Sequence, residues 1–499
     1  MTMRLLIKNG LVHFFKGNES TFLEKNILIQ NDKILSIIDV NENQKKIDNI
    51  TTDEIIDAKN CLVIPGLVNA HMHSHDHFNK GAFEKLPLEL WMLYLRPFFS
   101  GIRLSPEEIY LRTLWGCIEI LKTGTTTVID DIVQNPPTDE NNLEMIINAY
   151  KKAGIRASVT THLANKPLQD TIPFLENLLD VKIKEKLNQT VIPEETLLSY
   201  LEEQIKKYNH PDGLVRYILS PSGPQRCTIK LMKGMRDLSE KYKLPTICHV
   251  LESRIQNVTG KIFYDKTLIR YLYDNDLLYP NLNLVHCVWV SEEDIKLISD
   301  IGSKVIHNPA SNLKLGSGIA PIKSMLDRGI TVSLGTDNTS SNDSLHMFGM
   351  MYLTGLIHNV QGYDYEKWMS AEEAFSMATL HGARSALLGE KIGSIQENKK
   401  ADLVILDINN ERFIPTNDYI KHIVFAENGS SVRDVIIEGK IIVKDRKITT
   451  FDERDVLEEV KTVMPKIYKE REIAYSESID VYKAVKEAYL RCNELILKK

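Results

Sequence analysis

The residues whose types and spacing could do chemistry begin with Pro65-Gly66-Leu67-Val68-Asn69-Ala70-His71-Met72-His73. The run is apolar and ends on two histidines. Residues two apart on a strand share a face, so His71 and His73 can aim into one cavity as two ligands of one metal. Imidazole suits zinc, iron and nickel. His75 and His77 continue the series. They either extend the ligand set or, past the strand's end, line a pocket or face solvent. A second apolar run, Leu244–Val250, carries His249 at its end and Glu252 just beyond. Glu252 read alone is as well explained as a carboxylate opening a helix. A third run, Leu282–His286, again holds its histidine at the C-terminal end. A fourth, Thr331–Leu334, is followed by Asp337, which either completes a mixed nitrogen and oxygen ligand set or caps the next helix. A lone strand histidine is usually a satisfied core residue. Several of them at strand ends, spaced by one or two strand–helix units, point to a shared site.

Those groups must be held around one point by their strands. The middle of the chain alternates apolar strands with helix-like stretches such as Pro106–Leu121 and Ile229–Tyr242. The strands are Cys61–Asn69, Thr126–Ile129, Ala157–Thr161, Val215–Ser220, Thr246–Val250, Leu282–His286, Lys304–His307 and Thr331–Leu334. Eight such strands fit an α/β fold, a TIM-type (β/α)8 barrel with its chemistry at the C-terminal strand ends. The periodicity by itself also allows a doubly wound open sheet. Short β runs with turn residues return at both ends of the chain, near Leu5–Gly10, Ala401–Leu406 and Val435–Lys440. The expected layout is a small composite β-sandwich from residues 1–63 and 393–450, a barrel over 64–392, and a charged helical segment over 451–499. Ala164–Asn209 is longer than a crossover helix needs and reads as a lid or a dimer contact.

Composition bounds the rest. The chain has 499 residues, 43% of them hydrophobic, enough for a barrel of roughly 250 residues and more. A net charge of -6 gives no basic footprint for nucleic acid. No run is long and apolar enough to span a membrane, and Met1–Gly10 has no signal-type apolar core. The expectation is a soluble, cytoplasmic protein. The six cysteines are scattered with no CxxC pair, which excludes a zinc ribbon and a disulfide framework. Cys248 and Cys287, each beside a histidine, read as small buried hydrophobes.

Taken together the motifs resemble the amidohydrolase superfamily, in its branch of heterocycle deaminases (S-adenosylhomocysteine, cytosine and guanine deaminase types) and triazine hydrolases. The matching pieces are PGLVNAHMH (65–73), KTGTTTVID (122–130), HVLES (249–253), VHC (285–287), HNPASNLKLGSGIAPI (307–322), LGTDNTSSN (334–342) and KKADLVILD (399–407). The resemblance implies a barrel inserted in a β-sandwich, with one divalent metal on His71, His73, His249 and Asp337. It implies that His286 contacts the metal-bound water and that Glu252 shuttles a proton to the ring. Binuclear relatives carry a lysine on the fourth strand; Val215-Arg216-Tyr217-Ile218-Leu219-Ser220 has none, so one metal is expected, Zn2+ ahead of Fe2+. A homodimer is also implied. Relatives acting on S-adenosylhomocysteine show a Ser-Pro-His pattern on the fourth strand and a ribose-binding glutamate after the first-strand loop. Here the pattern is Ser220-Pro221-Ser222, and Arg96–Ser100 holds no carboxylate; both departures weigh against a nucleoside.

The expected activity is hydrolytic deamination of an amino-substituted nitrogen heterocycle by a metal-activated water, with Glu252, His286 and Asp337 as catalytic groups. The alternatives are expulsion of chloride or an alkylamine from a triazine-like ring, and a non-catalytic scaffold. Trp91, Tyr94, Phe98 and Phe99 either stack on the ring or pack; His75, His77, Gln225 and Arg226 are polar candidates for substrate contact.

Overall fold

The computed structural model describes residues 3–17, 19–40, 51–95, 103–188, 191–210, 213–362 and 364–497. Eight parallel strands form its centre. Leu67–Met72, Thr125–Ile132, Arg156–Thr161 and Val215–Tyr217 pair in that order. Thr246–Val250, Leu282–His286, Lys304–His307 and Val332–Leu334 make a second set of four. Parallel bridges from Leu219 to Thr246 and from Met72 to Asp337 close the two sets into a ring. The strands are buried along almost their whole length, as both faces of a barrel sheet are covered. Ala70, Ile129, Ile218, Ile247, Val285 and Ile306, one from each of six strand segments, pack as an inner cluster. Asn69 joins the first strand to the end of the last: its amide donates to Thr336 Oγ1 at 2.7 Å and its carbonyl accepts from the Thr336 N–H at 3.1 Å.

The expected strand Cys61–Asn69 is two strands. Cys61–Pro65 belongs to a nine-stranded outer sheet and pairs antiparallel with Leu403–Asp407; only Leu67–Met72 enters the barrel. Gly66 makes the crossing, at a place where a Cβ would lie 2.1 Å from Thr126 Oγ1. The outer sheet joins N-terminal strands such as Arg4–Lys16 and Glu19–Gln30 to C-terminal strands such as Val432–Ile437, giving the small β-sandwich domain from both termini. The fourth barrel strand stops at Tyr217, short of the expected Ser220.

Helix Glu453–Glu477 lies on helix Pro106–Lys122, with ion pairs from Lys122 to Glu453 (2.6 Å) and Lys466 to Glu108 (2.9 Å). The last helix, Ile479–Leu497, buries Val481, Ala484, Val485, Ala488 and Cys492 against Leu90, Leu93, Ile255 and Val258. Ile172, Leu175, Leu179 and Leu187 join the same cluster, so the long 164–209 segment finds partners within its own chain. Among the described residues no helix is long and apolar enough to cross a membrane.

Candidate active site

Four side chains converge where the first, fifth and eighth barrel strands end. Strand alternation puts His71 and His73 on the same side; His249 lies in the last turn of Thr246–Val250, and Asp337 follows Val332–Leu334. The Nε2 atoms of His71 and His249 are 3.2 Å apart. Asp337 Oδ1 lies 3.5 Å from His71 Nε2 and 3.2 Å from His73 Nε2. With metal–ligand bonds of about 2.0–2.1 Å, two neighbouring ligands of one cation lie roughly 3–3.5 Å apart. His71, His73 and His249 offer ligand atoms within 4.8 Å of one another, His71, His286 and Asp337 do the same, and the three short edges have the spacing and donor chemistry of ligands to one divalent cation.

Outer partners decide which ring nitrogen faces that point. His73 Nδ1 donates to the Asp131 carbonyl, which leaves Nε2 inward. His249 Nδ1 lies 3.9 Å from Asp131 Oδ2. His286 Nδ1 donates to Asn312 Oδ1 at 2.9 Å. Its Nε2 is thereby an acceptor, 3.5 Å from Glu252 Oε2 and 4.0 Å from Asp337 Oδ2. The backbone is strained at these strand ends. Leu251, His286, Cys287 and Asp337 have φ of 50°, 77°, 49° and 60°, a left-handed conformation that costs a non-glycine residue about 1–3 kcal/mol.

Burial organises the charges. It pushes His286 down to about 4, and, with the crowding of His71 and His162, holds His249 well below its ordinary value. Neutral imidazoles are the ligand-competent form. Burial, then the nearness of Asp337 and Glu89, raises the Glu252 carboxyl well above the usual range, so it can carry a proton near neutrality. Burial also works against ionisation of Asp337, but the His71, His73 and His286 rings gathered around it outweigh that and hold its carboxyl well below the usual range. One cavity thus pairs an ionised carboxylate with a protonated one.

That cavity is lined by His73, His249, Glu252, His286 and Asp337 together with Trp91, Gln225 and Arg226. Trp91 Nε1 donates to Ser340 Oγ at 3.1 Å. The other expected contacts lie elsewhere. His75 sits beside His73 with Nδ1 accepting the Val133 N–H at 3.1 Å, off the cavity wall. His77 neither lines the pocket nor meets solvent: it is 2% exposed, with Nδ1 3.3 Å from the Arg112 carbonyl and its ring against Gly116. Tyr94 stacks on Tyr475 of the C-terminal helices at 4.6 Å, because its helix turns that face outward. Phe98 and Phe99 lie outside the described residues.

Several site groups escaped the sequence reading. His162 lines the cavity and its Nδ1 bonds Asp131 Oδ2 at 2.7 Å. It follows the third barrel strand directly, so the strand-end rule that found His249 and His286 would have found it. Met92, Ser222, Gln256 and Asn338 also line the cavity, and no local pattern marks them.

Comparison with known proteins follows the same outline. The model of the amidohydrolase family matches residues 62–442. A protein named 5-methylthioadenosine/S-adenosylhomocysteine deaminase, from Syntrophobacter fumaroxidans, is 30% identical over 459 residues, covering 92% of this chain and 97% of its own. Among solved structures, an adenosine deaminase from Xanthomonas campestris with bound zinc superposes with a TM-score of 0.81 at 23% identity, over 94% of this chain and 99% of its own. An atrazine chlorohydrolase from Arthrobacter aurescens complexed with zinc gives 0.82 at 22% identity, over 92% and 100%.

Proposed function

This chain belongs to the amidohydrolase family, and from that premise we propose that it is a metal-dependent deaminase of amino-substituted nitrogen heterocycles. The observation that carries the reading is the convergence of His71, His73, His249 and Asp337, with His71–His249, His71–Asp337 and His73–Asp337 contacts of 3.2–3.5 Å, at a cavity shared with Glu252 and His286. Those four residues would hold one divalent cation; three imidazoles and a carboxylate favour zinc over iron. When bound there, such a cation supplies a water whose pKa falls to about 7.

The remaining chemistry belongs to the chain. Asp337 Oδ2 and His286 Nε2, 4.0 Å apart, orient the water and accept its proton. Glu252, held protonated by burial, donates to the ring nitrogen beside the amino-bearing carbon as the water oxygen attacks that carbon. The proton taken by Asp337 goes to the amino group, which leaves as ammonia. As the carbon–oxygen double bond forms, the hydroxyl proton left on the attacking oxygen returns to Glu252, so that one water is consumed and the carbon exchanges nitrogen for oxygen. Trp91 offers the ring an apolar face, and Gln225 and Arg226 contact its polar edge.

Deamination is favoured over loss of chloride or an alkylamine because the relative at 30% identity is named a deaminase, whereas the chlorohydrolase shares the fold at 22%. The test is ammonia release by the metal-loaded protein across amino-substituted purines, pyrimidines, pterins and triazines, with Asp337→Ala as control. Ammonia from one ring class, lost in the control, is expected. Silence with one metal per chain would transfer the reading to another leaving group, and silence without metal to a scaffold role.

A further inference from the structure

One stretch of the cavity wall is polar without being paired. It comes from the turn between the fourth barrel strand and helix Ile229–Tyr242, which supplies Ser222, Gln225 and Arg226. The turn is fixed by its backbone. Ser222 N–H donates to the Leu163 carbonyl at 2.8 Å, and the Arg226 carbonyl accepts from Asn165 N–H at 3.2 Å and Lys166 N–H at 3.1 Å. Its side chains therefore have little freedom to look for partners elsewhere. The Arg226 guanidinium reaches only Ser222 Oγ at 3.5 Å and the Met92 thioether at 3.0 Å, and among the described residues it forms no ion pair. A thioether is a weak acceptor for a group with five N–H donors. Glu252 and Glu89 feel its charge but stand beyond pairing distance. Gln225 is 3% exposed, and its Oε1 has no hydrogen-bond partner. Gln256 accepts the Glu252 N–H on its Oε1 at 3.0 Å.

A guanidinium held only by a long hydroxyl contact and a thioether, beside an amide oxygen with no partner, is costly unless a ligand completes them. The guanidinium calls for an acceptor and the Gln225 oxygen for a donor, and an oxo group beside a ring N–H presents both together. The acceptor shares the cavity with Trp91 and Glu252, and so sits on the same ring that receives the proton. Resting on the deaminase reading above, we infer that Arg226, with Gln225, selects rings that carry an oxo group beside a ring N–H in addition to the amino group. Aminopurinones, aminopterinones and aminopyrimidinones meet this requirement, and adenine-type rings without an oxo oxygen do not.

The test separates recognition from turnover by using rings that have no amino group to lose. The metal-loaded protein is titrated calorimetrically with hypoxanthine against purine and with 2-pyrimidinone against pyrimidine. The oxo member of each pair is expected to bind about 10- to 100-fold more tightly, as charge-assisted hydrogen bonds warrant. Arg226→Met should erase the preference, and Arg226→Lys, which keeps charge but not the planar fork, should keep part of it. Equal binding within each pair by the unaltered protein would overturn the inference, as would a preference unchanged in Arg226→Met. Uracil against orotate adds a carboxylate arm: an Arg226-dependent gain for orotate with parity in the oxo pairs would assign the guanidinium to a carboxylate and overturn it too. Failure of the two readings looks different. An oxo preference without ammonia release counts against deamination alone. Ammonia from adenine-type rings with parity in binding counts against this inference alone.

Discussion

Two regions of this molecule hold strongly desolvated histidines in contrasting company, and of the two the barrel mouth makes a site. At the barrel mouth His71, His73, His249 and His286 crowd together with carboxylates; at the seam between barrel and outer sheet, His13 stands among Phe15, Phe22 and Phe375 at ring distances of 4.5, 5.3 and 4.9 Å. Burial lowers His13 to about 3, a shift no smaller than that of His286, lowered to about 4. Desolvation is therefore common to both regions and distinguishes nothing. The mouth differs in convergence. There His71 Nε2 lies 3.2 Å from His249 Nε2, Asp337 Oδ1 lies 3.2–3.5 Å from His73 and His71 Nε2, and outer partners such as Asn312 and the Asp131 carbonyl fix which nitrogen is turned inward. His13 has one polar partner, Ser20 Oγ at 2.9 Å, and aromatic rings around it. A perturbed pKa marks burial; a shared focus of lone pairs marks chemistry.

The sharpest way to break the comparison is Asp337→Ala. Bound metal, read by elemental analysis, should fall well below one per chain, and turnover should drop by roughly 10⁴-fold or more, since the activated water is lost with it. Full metal occupancy in that variant would remove Asp337 from the ligand set. Glu252→Gln should keep the metal and the fold yet lower kcat by about 10²–10⁴-fold; unchanged kcat would end its role as proton donor. Asn312→Ala frees Nδ1 of His286, and we expect a loss of about 10- to 100-fold in activity with metal content retained. Parity with the unaltered protein would mean the ring needs no such anchor.

The smallest effect belongs to the seam and lies in stability, not activity. The fold keeps His13 neutral down to about 3, while an unfolded chain protonates it near 6.5. Its contribution is thus present above pH 6.5 and is lost as pH falls towards the folded value. His13→Gln should leave ammonia release unchanged. The destabilisation it causes, measured by denaturant unfolding, should be larger at pH 7.5 than at pH 5. A pH-independent difference would show that His13 does not titrate on unfolding.

The legibility of the two regions differs as well. His71, His73, His249, His286 and Asp337 were visible because each ends or follows an apolar strand, and alternation decides the face. His162 obeys the same rule, but it follows Arg156–Thr161, a strand rich in Ser and Thr whose apolar signal is weaker than that before His249 and His286. Gly66 was read within a single strand, although the space beside Thr126 Oγ1 makes it the hinge between two sheets. The fates of His77 and Tyr94 could not be read locally. One packs on Gly116 and the other on Tyr475, and both partners come from helices far along the chain.

The sequence by itself determined the order of strands and helices, the strand-end positions of the reactive side chains and the absence of a fourth-strand lysine. These follow from local periodicity and residue chemistry, which need only neighbours along the chain. Tertiary structure alone decided that four of those side chains share one point, which imidazole nitrogen faces it, and that Arg226 meets no carboxylate. Those outcomes depend on ring closure through Met72 and Asp337 and on the packing of Leu88–Leu95 beneath the last helix. Distances of a few ångströms between residues hundreds apart are set by packing, and no local pattern encodes them.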